Sequence, residues 1–298
     1  MKHAYLIMVH GNFKILKVLL RLIDDERNDI YVHVDKKCGE INVKQFIDIV
    51  GKSNIYFVKR HKGGWGWILD IEYELFEQAF LRGYSYYHLI SGVDLPIKSQ
   101  DYIHNFCGQN NGKLFVGFKE DSLVDYDRIE LIHLFPQYYR TSNIFISYIR
   151  RAFLFFQKKV GFKYRRSTED FEFKKGPTWV SVTHEFVNYL IQNRVKVTRL
   201  YKFSFSSDEQ FIQTLLYNSK FRPYVYDYVD QLHSCMRYVN WKCGTKECIA
   251  GSPSAITLSD IKEIVKTDRL FARKFSEEHL DAVKFVVDYL MPHNHNGG

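Results

Sequence analysis

Short apolar runs and helix-period stretches take turns along the first hundred residues. Ala4 to Val9 is an apolar run that stops at His10-Gly11-Asn12, the pattern of a strand entering a turn. Leu16, Leu19, Leu20 and Ile23 then fall on one face of a predicted helix from Phe13 to Ile23. Ile30 to Asp35 predicts a second strand, closed by Lys36-Lys37-Cys38-Gly39. A short helix over Phe46 to Val50, a third strand over Ile55 to Val58, a helix over Ile71 to Leu81 and a fourth strand over Tyr86 to Ile90 follow. Strand alternating with helix predicts an α/β fold with a mainly parallel sheet flanked by helices. Open sheets of this kind bind ligands beyond the carboxyl ends of their strands, which singles out His10, Gly11, Asp35 and Lys36.

The second half is less regular. Asn143 to Arg166 interleaves Ile144, Phe145, Tyr148, Ile149, Phe153, Phe155 and Phe156 with Arg150, Arg151, Lys158, Lys159, Lys163, Arg165 and Arg166 on a predicted helix. Gly176 to Val182 predicts a strand, Thr183 to Ile191 a helix, and Arg237 to Trp241 a late strand facing the cleft. Ser259 is placed to cap a helix from Asp260 to Val265, and Ser276 to Leu290 reads as a final amphipathic helix. No repeat and no compositional shift marks a linker. Residues 1–292 are therefore expected to form one domain, and 293–298 a disordered tail.

Four places carry candidate chemistry. Ser206 stands three residues before Glu209, and Phe211, Ile212, Leu215 and Leu216 follow at helical period. In one reading Glu209 closes a capping box on its own helix. In the other it is a general base presented to a cleft from a loop-to-helix junction. The basic loop from Arg60 to Trp67 holds Gly63, Gly64 and Gly66 beside Trp65 and Trp67, which suits close backbone approach to a ligand or pinning to the core. Asp94 leaves the fourth strand just before Leu95-Pro96, placed either to order a ligand or loop, or to cap its turn. Trp179 can wall a ligand site.

The net charge of +8 favours an anionic partner without choosing among nucleotide, nucleic acid and membrane. The five cysteines are scattered, and Cys243 and Cys248 have no second pair to complete a zinc site, so free thiols are expected. Met1 to His10 lacks a signal-peptide pattern, and no apolar run reaches spanning length. The expectation is a cytoplasmic protein whose 143–166 helix has two readings: it lies on anionic lipid, making the protein peripheral on the inner face of the cell membrane, or it packs on the core with a solvated basic face.

In order along the chain stand Val32-His33-Val34-Asp35, Trp65-Gly66, His88-Leu89-Ile90-Ser91-Gly92-Val93-Asp94-Leu95-Pro96-Ile97-Lys98, Gly176-Pro177-Thr178-Trp179, Ser207-Asp208-Glu209 and Leu270-Phe271-Ala272-Arg273-Lys274-Phe275. This series resembles the core 2/I-branching N-acetylglucosaminyltransferases, a group that includes the peptide O-xylosyltransferases. Lacking the anchor and long stem of animal Golgi enzymes, the chain resembles a bacterial member. The resemblance implies a GT-A-like, Rossmann-like fold and inverting transfer from a UDP-sugar, most readily UDP-GlcNAc, without a divalent metal or other cofactor. It implies Glu209 as catalytic base and Lys274 at the donor diphosphate. Asp35 is then a uridine or ribose contact, with His10, Gly11, Trp65, Gly66, Asp94 and Arg269 in the donor site. Arg128, Glu130, Trp179 and Trp241 become acceptor contacts. The family's second diphosphate cation aligns with Gly251, leaving Arg237, Lys242, Lys246 and Arg269 as substitutes.

Asp125-Tyr126-Asp127 has the form of a metal-binding Asp-x-Asp, yet it lies in the polar run from Lys119 to Arg128 and reads as a solvated loop. The expected acceptor is a glycan or lipid-linked oligosaccharide, with no nucleic acid partner. Two rivals stand beside this reading: a xylosyl- or other hexosyltransferase, and a basic module that binds nucleic acid or membrane without catalysis.

Overall fold

The structure, a computed structural model, describes residues 1–63, 68–120, 124, 126–134, 143–164, 171–241 and 253–291. Trp65, Gly66, Asp125, Lys242, Lys246, Gly251, Cys243, Cys248 and the 293–298 tail lie outside the described residues. The described residues form eight strands: β1 (His3–Val9), β2 (Asn28–Val34), β3 (Asn54–Phe57), β4 (Tyr86–Ser91), β5 (Leu95–Pro96), β6 (Ser181–Thr183), β7 (Arg237–Val239) and β8 (Phe271–Arg273). The helices are α1 (Phe13–Leu22), α2 (Lys44–Ile47), α3 (Leu69–Phe80), α4 (Gln100–Gln109), α5 (Asp127–Glu130), α6 (Ile144–Lys159), α7 (His184–Gln192), α8 (Arg194–Tyr201), α9 (Phe211–Tyr217), α10 (Gln231–Ser234), α11 (Leu258–Ile264) and α12 (Leu280–Leu290).

The main sheet runs β3-β2-β1-β4-β6, with β1 to β4 parallel and β6 antiparallel to β4. It is the mixed, mainly parallel sheet that the alternating pattern predicts. Its apolar strands divide cleanly by face. Tyr5, Ile7 and Val9 of β1 join a core with α1, α11 and α12, while Ala4, Leu6 and Met8 join a second core with α3, α7, α8 and α9. Both faces are covered, so β1, β2 and β4 are buried throughout and read as mostly apolar runs, with His33 and His88 buried among them. The chain leaves β1 towards β2 on one side and takes up β4 on the other. That reversal opens a crevice beyond the carboxyl ends of the strands.

A second sheet, β5-β8-β7, brings the late motif to this crevice. Leu95 pairs with Ala272, and Val239 with Arg273, so the end of β8 is clamped between the turn after β4 and the end of β7. Phe271, Ala272 and Phe275 anchor the sheet in the α1-side core.

Three local expectations change. Ser206 has φ 57 and its side chain makes no cap, so no capping box forms at Glu209; residues Ser207–Glu209 make a 3-10 turn before α9. The capping box lies instead at Thr257, whose hydroxyl and Asp260 satisfy the start of α11 in place of Ser259. The strand expected from Gly176 pairs only over Ser181–Thr183. Close backbone packing explains this: a Cβ on Gly176 would lie 2.0 Å from the Gly117 carbonyl, and one on Gly117 would lie 2.1 Å from that of Gln231.

Candidate active site

The crevice is a cavity of about 610 Å³. His10, Asp35, Trp179, Glu209, Trp241 and Lys274, separated by up to 264 residues in sequence, all line it. Each arrives by a different piece of the fold. His10 follows β1, and Asp35 follows β2. Glu209 ends the 3-10 turn ahead of α9, and Lys274 continues β8.

Glu209 is fixed at its backbone and its carboxylate. The Gly176 amide donates to the Glu209 carbonyl at 2.8 Å, and Lys175 Nζ stands 3.1 Å from Glu209 Oε2. With the capping box unmade, the carboxylate turns towards Lys175 and the cavity rather than back onto its own helix. A carboxylate held by a cation and left partly open to a cleft can accept a proton from a bound hydroxyl.

Beneath it the environment is drier. Asp208 is nearly buried, and burial followed by the Glu209 charge pushes its carboxyl up to about 7. Glu72 of α3 is fully buried with both carboxyl oxygens lacking a hydrogen-bond partner. Burial, and secondarily Asp208, raises its pKa well above the usual range and favours the neutral acid.

At the other motif, Asp94 accepts from the Ser91 amide at 2.9 Å and from Ser91 Oγ at 2.6 Å, so it does cap its own turn. It is buried and does not line the cavity; its Oδ1 lies 3.5 Å from Arg273 Nε, and that guanidinium stacks on Trp179 at 4.3 Å. Burial works against the Arg273 charge and Asp94 offsets it. Asp94 is thus a positioning residue for Arg273, which lines the cavity beside Lys274. Arg273 was not among the predicted residues. Its signal was its place next to Lys274 at a strand end, whereas the search for a second cation looked further upstream.

Of the expected substitutes, the two among the described residues, Arg237 and Arg269, do not line the cavity. Arg237 is buried, donating to the Cys235 and Val180 carbonyls and to Ser181 Oγ, with its guanidinium over the Phe271 ring. Arg269 is held by Asp268 at 2.6 Å and Asp230 at 3.3 Å and does not line the cavity. Gly11 also stays off the lining, at φ 141 in the turn behind His10. Asp35 lines it but spends its oxygens on the Lys37 amide at 2.8 Å and the Gly63 amide at 3.1 Å, tying two loops together.

Arg128 and Glu130 of α5 stand behind the Glu209 loop rather than in the cavity. Arg128 donates to Ser206 Oγ at 3.3 Å and lies over Phe205, and Glu130 pairs with Lys163 at 2.7 Å. Lys37, Lys119 and Lys175 are cations that sequence reasoning missed; the first two line the cavity and the third grips Glu209.

Asp127 is ion-paired with Lys158. Elsewhere, His3, His88 and Cys107 place candidate ligand atoms within 4.8 Å of one another, though none lines the cavity. His88 Nδ1 meets Ser181 Oγ at 2.7 Å and His88 Nε2 meets His3 Nδ1 at 3.1 Å, a hydrogen-bonded chain through the sheet. Cys38, Cys107 and Cys235 are free thiols, as expected.

A family model described as Core-2/I-Branching enzyme matches residues 3–265. The matched span contains Glu209 and stops before Lys274. Among solved structures, the crystal structure of mouse xyloside xylosyltransferase 1, apo form, is similar at 10% sequence identity with a TM-score of 0.35, over 91% of this chain and 97% of that chain. No curated protein sequence matches.

Proposed function

This chain belongs to the Core-2/I-branching enzyme family, and we propose that it is an inverting transferase that moves a sugar from a UDP donor to a glycan hydroxyl. The observation that carries the reading is the convergence of Glu209, held by Lys175 at 3.1 Å, with Arg273 and Lys274 in one cavity. Glu209 takes the proton of the acceptor hydroxyl as that oxygen attacks the anomeric carbon. The bond from that carbon to the diphosphate oxygen breaks on the opposite face, and Arg273 and Lys274 meet the charge that builds there. Asp35 and His10 lie by the nucleotide, and Trp179 and Trp241 wall the sugars. The donor sugar is GlcNAc in this proposal; xylose or another hexose is the alternative.

Two cations at the leaving group do the work that a metal does elsewhere, so the transfer needs no divalent ion. Engagement of Asp127 by Lys158 supports this, because that carboxylate is already paired with a cation at the surface. The test is a panel of UDP-sugars with EDTA present, read by thermal shift and by product formation. One UDP-sugar is expected to stabilise the protein and turn over. Stabilisation that appears only with added metal, or by no UDP-sugar at all, overturns the proposal.

A membrane contact also belongs to it. No helix among the described residues is long and apolar enough to cross a membrane. α6 nevertheless shows Ile144, Phe145, Tyr148, Phe155 and Phe156, each at least 60% exposed, on the arc that carries Arg151, Lys158 and Lys159. It has no acidic residue, and its buried side chain is Gln157, hydrogen-bonded to the Ile132 backbone. Such a face suits an anionic lipid surface and puts the enzyme peripherally on an inner membrane face, where a lipid-linked acceptor would be met. The protein should float with phosphatidylglycerol vesicles and much less with phosphatidylcholine. A Phe145→Ser/Phe155→Ser variant that floats equally well would remove the helix from the contact.

A further inference from the structure

Lys119 is a cation in the cavity wall with no ion pair among the described residues, although its side chain is half buried. Its amide donates to the Lys175 carbonyl at 2.7 Å, so the two lysines sit on adjoining segments. The nearby carboxylate, Glu209, is already gripped by Lys175 at 3.1 Å. Arg128 stands behind the same loop on Ser206 Oγ. Asp208 supplies only a partial counter-charge at neutral pH, because its own carboxyl is pushed up to about 7.

Lys119 belongs to the Glu209 wall rather than to the leaving-group wall. Burial lowers its pKa, and the charges acting on it are those of Glu209, Lys175 and Arg128. The charge acting on Arg273 is that of Asp94. The imbalance grows during the reaction proposed above: once Glu209 takes a proton, Lys175 loses its partner too. Lys119 would then face the acceptor with Lys175 unpaired beside Glu209 and no anion between the two ammonium groups, a costly arrangement unless the substrate brings one.

Resting on the transferase reading, we propose that the acceptor carries an oxyanion, a carboxylate of a uronic sugar or a phosphate ester, bound by Lys119 when the accepting hydroxyl lies at Glu209. The acceptor class is thereby an acidic glycan rather than a neutral one.

The test uses the full chain saturated with UDP and titrated calorimetrically with matched sugars. The pairs are methyl glucoside against methyl glucuronide, methyl galactoside against methyl galacturonide, and galactose against galactose 6-phosphate. At least one anionic member should bind about tenfold or more tightly than its neutral partner, the size of one charge-assisted hydrogen bond. The preference should fall towards one in Lys119→Gln and persist in Lys119→Arg. The carboxylate and phosphate pairs tell the two oxyanions apart. Equal binding within every pair, no binding by any anionic sugar, or equal weakening of both members in Lys119→Gln overturns the proposal. Failure of UDP itself to bind counts against the transferase reading instead, and the same titrations without UDP still decide the anion.

Discussion

Glu209→Gln is expected to lower turnover by about 10²- to 10⁴-fold, the usual contribution of a positioned base. Glutamine keeps the shape of the side chain, and its oxygen can still accept from Lys175, so the 3-10 turn and the Gly176 contact are retained. What is lost is the capacity to hold a proton. UDP should therefore bind the variant much as it binds the wild type, because Arg273 and Lys274 are untouched. Donor hydrolysis, with water in place of the acceptor hydroxyl, gives a readout before any acceptor is known. Turnover within about tenfold of wild type would return Glu209 to a structural role.

That role was an open reading of the sequence. Ser206 and Glu209 have capping-box spacing, and spacing alone does not reveal that Ser206 adopts φ 57 and leaves the cap unmade. The strands were legible for a simpler reason. β1, β2 and β4 are buried on both faces, so each reads as a mostly apolar run, broken by single polar residues such as His33 and His88. His10 and Asp35 follow from the same logic, since residues just past parallel strands meet at the crevice. Lys119, Lys175 and Arg273 were not legible in this way. A lysine or arginine looks alike in sequence whether it faces water or a buried carboxylate, and its partner is set by tertiary pairing. Arg273 meets Asp94 because β8 inserts between β5 and β7, a long-range pairing with no local signature. The same blindness promoted Arg269, whose charge is spent on Asp268 and Asp230.

Lys274→Met is expected to lower kcat/KM by about 10²- to 10³-fold, the loss seen when one preorganised donor to a developing oxyanion is removed. The preorganisation is visible in the backbone. The Ile256 amide donates to the Lys274 carbonyl at 2.9 Å, and the Phe275 amide to the Val93 carbonyl at 2.8 Å, so the residue is held from both sides. A lysine whose backbone is held there brings its ammonium to the departing diphosphate with little rearrangement of the chain, beside Arg273 in the same cavity. Methionine conserves the stem and removes the charge, so UDP affinity should fall together with turnover. Added Mg²⁺ should restore neither if the side chains carry the leaving group. Arg269→Met supplies the contrast. Its ion pairs lie off the cavity and are partly exposed, so its effect on kcat/KM should stay within about twofold. Kinetics and UDP titrations on the two variants separate placement in the cavity from mere basicity. Equal losses at both positions would mean that general positive charge binds the donor. A full Mg²⁺ rescue of Lys274→Met would mean that the leaving group waits for a metal.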